Sequence, residues 1–210
     1  MNNILKNLVP LSQQLKCDTS CYHARLDQVT VLQNLLSADL TPLQYETTIL
    51  YFYHCLKAWV AVFKQAERQL NIPAFARIEC HLAALETEVS QFNYQLKPAI
   101  LIPLPEIKSI EHYLGYSYVL TGSQMGARFI IRKLQKSPLK SRYRFNYYQT
   151  QSAQAAECWL TWKSSLDQFS KNSAINQQAV INAALACFNQ LINWFECRHK
   201  VCKVSIYNTE

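Results

Sequence analysis

The sequence predicts an all-α fold in a single domain spanning residues 1–210, with a core from about 11 to 200, and three observations carry that expectation. Prolines divide the chain into segments whose apolar residues recur at helical spacing, and almost nothing alternates as a strand would. Thr41-Pro42-Leu43-Gln44 is a capping box with proline in the first turn, a helix start with its own chemistry. The chain has 3 glycines, and Gly115, Gly122 and Gly126 all fall in one stretch without a turn signal. Average usage of about 7% would supply roughly fifteen.

The elements follow in order. Leu11, Leu15, Tyr22 and Leu26 mark the apolar side of a first helix over about Leu11–Ala24, and a short helix follows near Val29–Leu36. The capping box opens a long helix to about Leu70, in which Ile49, Phe52, Leu56, Val60 and Phe63 keep helical spacing. Pro73 ends that region, a helix over about Arg77–Leu96 comes next, and Pro98, Pro103 and Pro105 bound a loop. The glycine-bearing helix is expected over about Ser109–Gln135. Ser137–Gln151, opened by Pro138, is aromatic and basic and reads as irregular. Its Tyr143, Phe145, Tyr147 and Tyr148 suit a core and a pocket rim better than a surface for stacking bases. Two helices close the chain, over about Ser152–Phe169 and Asn176–Lys200, the last with a buried stripe of Val180, Ala184, Cys187, Leu191 and Trp194. No internal repeat or low-complexity linker interrupts this order.

Composition narrows the function classes. The 14 acidic residues against 21 basic ones give +7, with a modest basic cluster from Arg128 through Arg132, Lys133, Lys136, Lys140 and Arg142 to Arg144. Such a face is solvated, or attracts an acidic protein or an anionic ligand. No nucleic-acid motif accompanies the charge. The start lacks a basic region followed by a long apolar core, so the 8 cysteines are expected to stay reduced in the cytoplasm. Cys17, Cys21 and His23 form one local group and Cys197, His199 and Cys202 another, but neither has paired-CxxC spacing, and no thiolate metal site is expected. No run of 18 apolar residues exists, so no membrane span is expected.

A glycine inside a helix costs about 1 kcal/mol against alanine, so something must approach that backbone closely. At period 3.6, Val119, Gly122, Ser123, Gly126 and Ala127 share one face of small residues. That face can accept another helix, or a flat ligand lying on bare backbone. Ser123 has no His-Asp arrangement near it in sequence, which argues against a nucleophilic role.

Two segments read together favour the ligand. His23-Ala24-Arg25-Leu26-Asp27 closes the first helix, and Tyr118 opens the run Val119-Leu120-Thr121-Gly122-Ser123-Gln124-Met125-Gly126-Ala127. The pair resembles the biliverdin-producing haem oxygenases, in particular their bacterial branch, with an early H-x-x-L-D/E and a later Y-V-x-E-G-S-x-x-G-A/G. The run from Leu32 to Ala58 is similar to that family's second and third helices, and Trp159 to Phe169 to its penultimate one. The resemblance extends over about Leu11–Glu196.

The resemblance implies a helical bundle with haem sandwiched between an N-terminal proximal helix and the glycine-bearing distal helix. It puts His23 on the proximal iron ligand, and Gly122, Ser123, Gly126 and Ala127 on the distal helix. Lys16 and Tyr118 fall on positions that approach the haem propionates, and Lys163 is a third candidate. The activity implied is oxidative opening of haem to biliverdin, with release of iron and CO. O2 and external electrons would drive it, since no flavin or iron–sulfur motif is present. A ferredoxin or a flavin-dependent reductase is the implied donor, and a bilin-accepting protein a further partner. Three positions depart from the pattern. Thr121 replaces the usual glutamate, Met125 replaces leucine, and Ser123 stands where animal members carry aspartate and bacterial ones commonly serine. A haem carrier of the same fold would use the same His23 and slot. A helical enzyme of the thiaminase-like fold would need a carboxylate–cysteine pocket that these residues do not assemble. His54, His81, His112 and His199 lack any comparable context and read as structural or exposed.

Overall fold

The computed structural model describes residues 9–74, 78–92 and 104–206, with side chains described as far as Glu196. Among the described residues there are eight α-helices and no strand: α1 (Leu11–Asp18), α2 (Ser20–Asp27), α3 (Thr30–Asn34), α4 (Pro42–Leu70), α5 (Ile78–Val89), α6 (Ile110–Leu134), α7 (Asn146–Asn172) and α8 (Gln177–Ile206). A 3-10 turn, Pro138–Ser141, lies between α6 and α7.

The helix starts read from sequence have the expected chemistry. Gln44 N–H donates to Thr41 Oγ1 at 3.2 Å and Thr41 N–H to Gln44 Oε1 at 2.9 Å, a reciprocal capping box with Pro42 behind it. Ser109 Oγ caps α6 by accepting from His112 N–H. Three expectations need correcting. The first helix is two, α1 and α2, bent at Thr19, whose hydroxyl donates to Leu15 O at 2.7 Å and competes with the backbone ladder. The irregular stretch after α6 ends at Phe145, because α7 begins at Asn146 rather than near Ser152. Phe145 takes the left-handed conformation at φ 55, which turns the chain abruptly into the helix. The helix expected over Arg77–Leu96 is observed as Ile78–Val89.

α6 packs along α7 on one side and α8 on the other, α4 packs against α5, and α5 also meets α7. Two buried clusters result. One gathers Trp59, Phe63, Tyr113, Leu114, Val180 and Cys187, and the other Tyr45, Ile49, Leu85, Leu134, Phe145 and Tyr148. Leu32, Phe52 and Leu56 pack against both clusters and line the cavity between them. α2 is carried by α8, so it stands beside α6 rather than on it. That separation makes the site.

Candidate functional site

A cleft of about 820 Å³ runs between α1 and α2 on one side and α6 and α7 on the other. It opens into a mainly apolar inner cavity of about 190 Å³. His23, Leu26, Asp27, Val119, Gly122 and Ser123 line both spaces. The two short helices forming one wall are fixed at three points. Asp167 of α7 accepts from Ser12 N–H at 2.9 Å and Ser12 Oγ–H at 2.7 Å, supplying α1 with the N-terminal carboxylate its own sequence lacks. At the bend, Thr19 Oγ1 and Tyr118 OH of α6 share a hydrogen bond at 3.2 Å. Beneath α2, the Phe188 ring meets the His23 ring edge to face at 6.0 Å.

His23 Nδ1 lies 3.1 Å from Asp27 Oδ2, one turn on. With Nδ1–H donating to that carboxylate, Nε2 keeps a free lone pair, the tautomer and second partner expected of a metal-ligating histidine. The His23 side chain is 57% exposed, so the lone pair is accessible from the cleft.

Bare backbone forms the facing wall. A Cβ built on Gly122 would come only within ordinary contact of the Trp159 ring, at 3.6 Å, and one on Gly126 meets nothing within 4 Å. Neither glycine is required by a neighbouring helix. Ser123 is exposed beside them, and its hydroxyl donates to Leu120 O of its own helix at 2.7 Å. Lys16, Tyr118 and Lys163 line the outer cleft, with the Lys163 ammonium 6.0 Å over the Trp159 ring. Lys16 is exposed. Tyr118 is buried, and its hydroxyl is engaged with Thr19.

Ala127 needs a correction. It is 3% exposed and packs in the second core cluster with Leu85 and Leu134, away from the cleft. It lies about 100° around the helix from Gly126, which turns it from the slot into the core. Thr121, where the family pattern has glutamate, also faces elsewhere. It lines a separate cleft of about 420 Å³ with Gln124, Cys158 and Ser165, and its buried hydroxyl has no partner among the described residues.

His81 of α5, read from sequence as structural or exposed, lies in the site's inner cavity. Burial lowers its pKa to about 4, so the imidazole is neutral. Its Nε2 lies 2.6 Å from the Gln124 carboxamide and its Nδ1 against that of Gln151. A neutral ring offers one N–H and one lone pair, so one of the two amides must present oxygen. Assigning that role to Gln151 gives its otherwise unpartnered carbonyl a donor. No signal in the sequence marks this triad, whose members come from three helices. The other described histidines lie outside the cleft: His112 Nδ1 accepts from Lys108 N–H, and His54 sits against the Tyr53 ring. Among the described residues no three His, Cys, Asp or Glu side chains converge on a metal, and the Cys197, His199 and Cys202 side chains lie outside the described residues.

The arrangement is a slot with one outward imidazole lone pair, a glycine wall opposite, apolar sides and two lysines at the mouth. It suits a planar, metal-centred molecule carrying acidic arms. A family model described as heme oxygenase matches residues 9–197. No curated protein and no solved structure matches the chain.

Proposed function

The chain belongs to the haem oxygenase family, and from that premise we propose that it opens haem oxidatively to biliverdin, with release of iron and CO. One observation carries the reading: His23, its Nδ1 tied to Asp27, faces the same cleft as Gly122 and Gly126, whose missing side chains no neighbouring helix explains.

The residues present fit haem. His23 Nε2 would hold the iron, Gly122 and Gly126 would leave room for the plate, and Lys16 and Lys163 would meet the propionates. Bound haem supplies both the ring to be opened and the iron centre at which O2 is activated. Asp27 keeps His23 in the ligating tautomer and fixes its orientation. Val119, Leu120 and Ile130 give the inner cavity apolar walls that exclude bulk water from the reacting face. The imidazole is a weaker donor than the thiolate that drives O–O cleavage in other haem enzymes, so holding the ring edge close to the oxygen matters more than acid–base chemistry.

Electrons come from outside in this reading. Arg128, Arg132 and Lys133 are exposed on α6 next to Phe129, 54% exposed, and Met125, 40% exposed. A basic rim around an apolar centre suits an acidic ferredoxin or a flavin-dependent reductase. We place the activity in the cytoplasm, where the exposed Cys17, Cys21 and Cys80 remain thiols. Among the described residues no helix is long and apolar enough to cross a membrane.

A second reading, a haem carrier without turnover, gains from the Ser123 hydroxyl being committed to Leu120 O. Haem titration followed by reductant separates the two. The oxygenase progresses to a bilin absorption spectrum, whereas a carrier retains haem. His23→Ala should fold, since it removes an exposed side chain, and should lose both the wild-type haem spectrum and bilin formation. A wild-type spectrum in that variant would reject His23 as the iron ligand.

A further inference from the structure

The inner cavity has polar groups that are already occupied and a fully buried one that is not. Ser123 spends its hydroxyl proton on Leu120 O. His81 carries a carboxamide against each ring nitrogen. Tyr148 lines the same cavity as Gly122, Gly126 and His81, and is 3% exposed. Its hydroxyl is buried and has no hydrogen-bond partner among the described residues. A phenol O–H stripped of water and given nothing in return is a standing penalty, and native interiors keep such groups chiefly where a ligand or water completes them.

The side chain is also held in place. Tyr148 lies in the first turn of α7, entered through the left-handed Phe145. Buried Glu88 of α5 accepts from the neighbouring Tyr147 N–H at 3.3 Å and from Tyr45 OH at 2.7 Å. The first turn of α7 is therefore tied to α4 and α5 while the Tyr148 hydroxyl is left over. Burial raises the Tyr148 pKa well above the usual phenol range, so the group donates without ionising.

Resting on the haem oxygenase reading, we propose that Tyr148 is the hydrogen-bond donor of the inner cavity, and that it holds the O2 used in the reaction against the glycine wall. Ser123, on the glycine helix itself, is engaged with its own helix, and the donor comes instead from α7. Tyr148 keeps its proton throughout. Its contribution is a fixed dipole aimed where negative charge develops on oxygen.

Tyr148→Phe removes one oxygen atom and preserves the packing. Carbon monoxide on the reduced, haem-loaded protein is the probe, because its C–O stretch responds to a donor next to the bound gas. The variant should bind haem as the wild type does and show the stretch at higher frequency. It should form bilin about 100-fold more slowly, the scale set by loss of one preorganised donor. The apo variant should melt no lower than wild type, because no protein partner loses a bond. An unchanged stretch in Tyr148→Phe would overturn the proposal, and so would a shift in Ser123→Ala in its place. A lower apo melting temperature would overturn it too, by revealing a structural partner for the hydroxyl. Wild-type protein that opens haem while Tyr148→Phe matches it throughout loses only this proposal. Wild-type protein that does not bind haem loses this proposal and the function together.

Discussion

Gly115 and Gly126 lie on the same helix about three turns apart, and their surroundings are opposite. A Cβ on Gly115 would fall 2.5 Å from Val180 O, 2.6 Å from Ala183 Cβ and 2.7 Å from Ala184 N. At that level the backbones of α6 and α8 touch, and Trp162 Nε1–H closes the other side by donating to Ser117 Oγ at 3.2 Å. A Cβ on Gly126 meets nothing within 4 Å. One composition signal, glycine clustered in a helix, therefore has two causes. The N-terminal half of α6 uses glycine to bring helices together, and the C-terminal half uses it to keep a space open. On its other face the open half is held by Ala127, Ile131 and Leu134 in the second core cluster, so the side bearing Gly122 and Gly126 can stay unpacked.

The largest expected effect lies at the closed end. Gly115→Ala places a methyl group against the carbonyl and amide of α8, which can yield only by separating two helices. The loss should reach about 3 kcal/mol or more in denaturant unfolding of the apo protein, at the upper end of overpacking costs. Gly122→Ala, with its nearest contact the edge of the Trp159 ring at 3.6 Å, is the internal control and should stay close to wild type. Equal losses at the two positions would break the comparison.

A smaller effect comes from α5, which packs beside the open half of α6 through Gln124. His81 ionises at about 4 when folded, against 6.5 for the free side chain, because burial disfavours the imidazolium. As pH falls below 6.5 the unfolded chain takes up this proton first, so stability is full above about pH 6.5 and is lost progressively towards pH 4. Between pH 6.5 and 5 that amounts to about 1.5 kcal/mol. His81→Gln should flatten this part of the stability profile, measured by denaturant melts at the two pH values. A profile as steep as wild type would place the acid sensitivity elsewhere.

Legibility follows the range of the interactions. The Thr41 cap was readable because the residues that satisfy that helix end lie three positions apart. His23 and the helical glycines stand out in the sequence because each belongs to a short local pattern. The bend at Thr19 was not readable, since a threonine hydroxyl returning to Leu15 O leaves no proline or glycine mark. Phe145 at positive φ was equally hidden in a residue type that seldom adopts it. The His81 triad depends on side chains from α5, α6 and α7 that meet only after folding. Ala127 shows the limit of periodicity, because a residue at the edge of a stripe is assigned to the wrong surface by a rotation of one position. Spacing showed which residues share a face, but not what stands opposite it.

A modest change in apo stability is expected at Gly126, where it carries the most information. Alanine there should raise stability by up to about 1 kcal/mol, because helix propensity is recovered and the new methyl group projects into open space. Leucine should also leave the apo fold close to wild type, since the inner cavity beside Gly126 has room for it. Haem titration should then diverge from the melts: near-normal loading for Gly126→Ala, and loss of binding for Gly126→Leu, whose side chain occupies the slot the plate needs. A leucine variant that melts well below wild type yet loads haem in its folded fraction would mean a helix, not a ligand, faces Gly126. The two ends of α6 would then share one cause. Normal apo stability combined with lost haem binding is the result expected if the space over Gly126 is kept for the ligand.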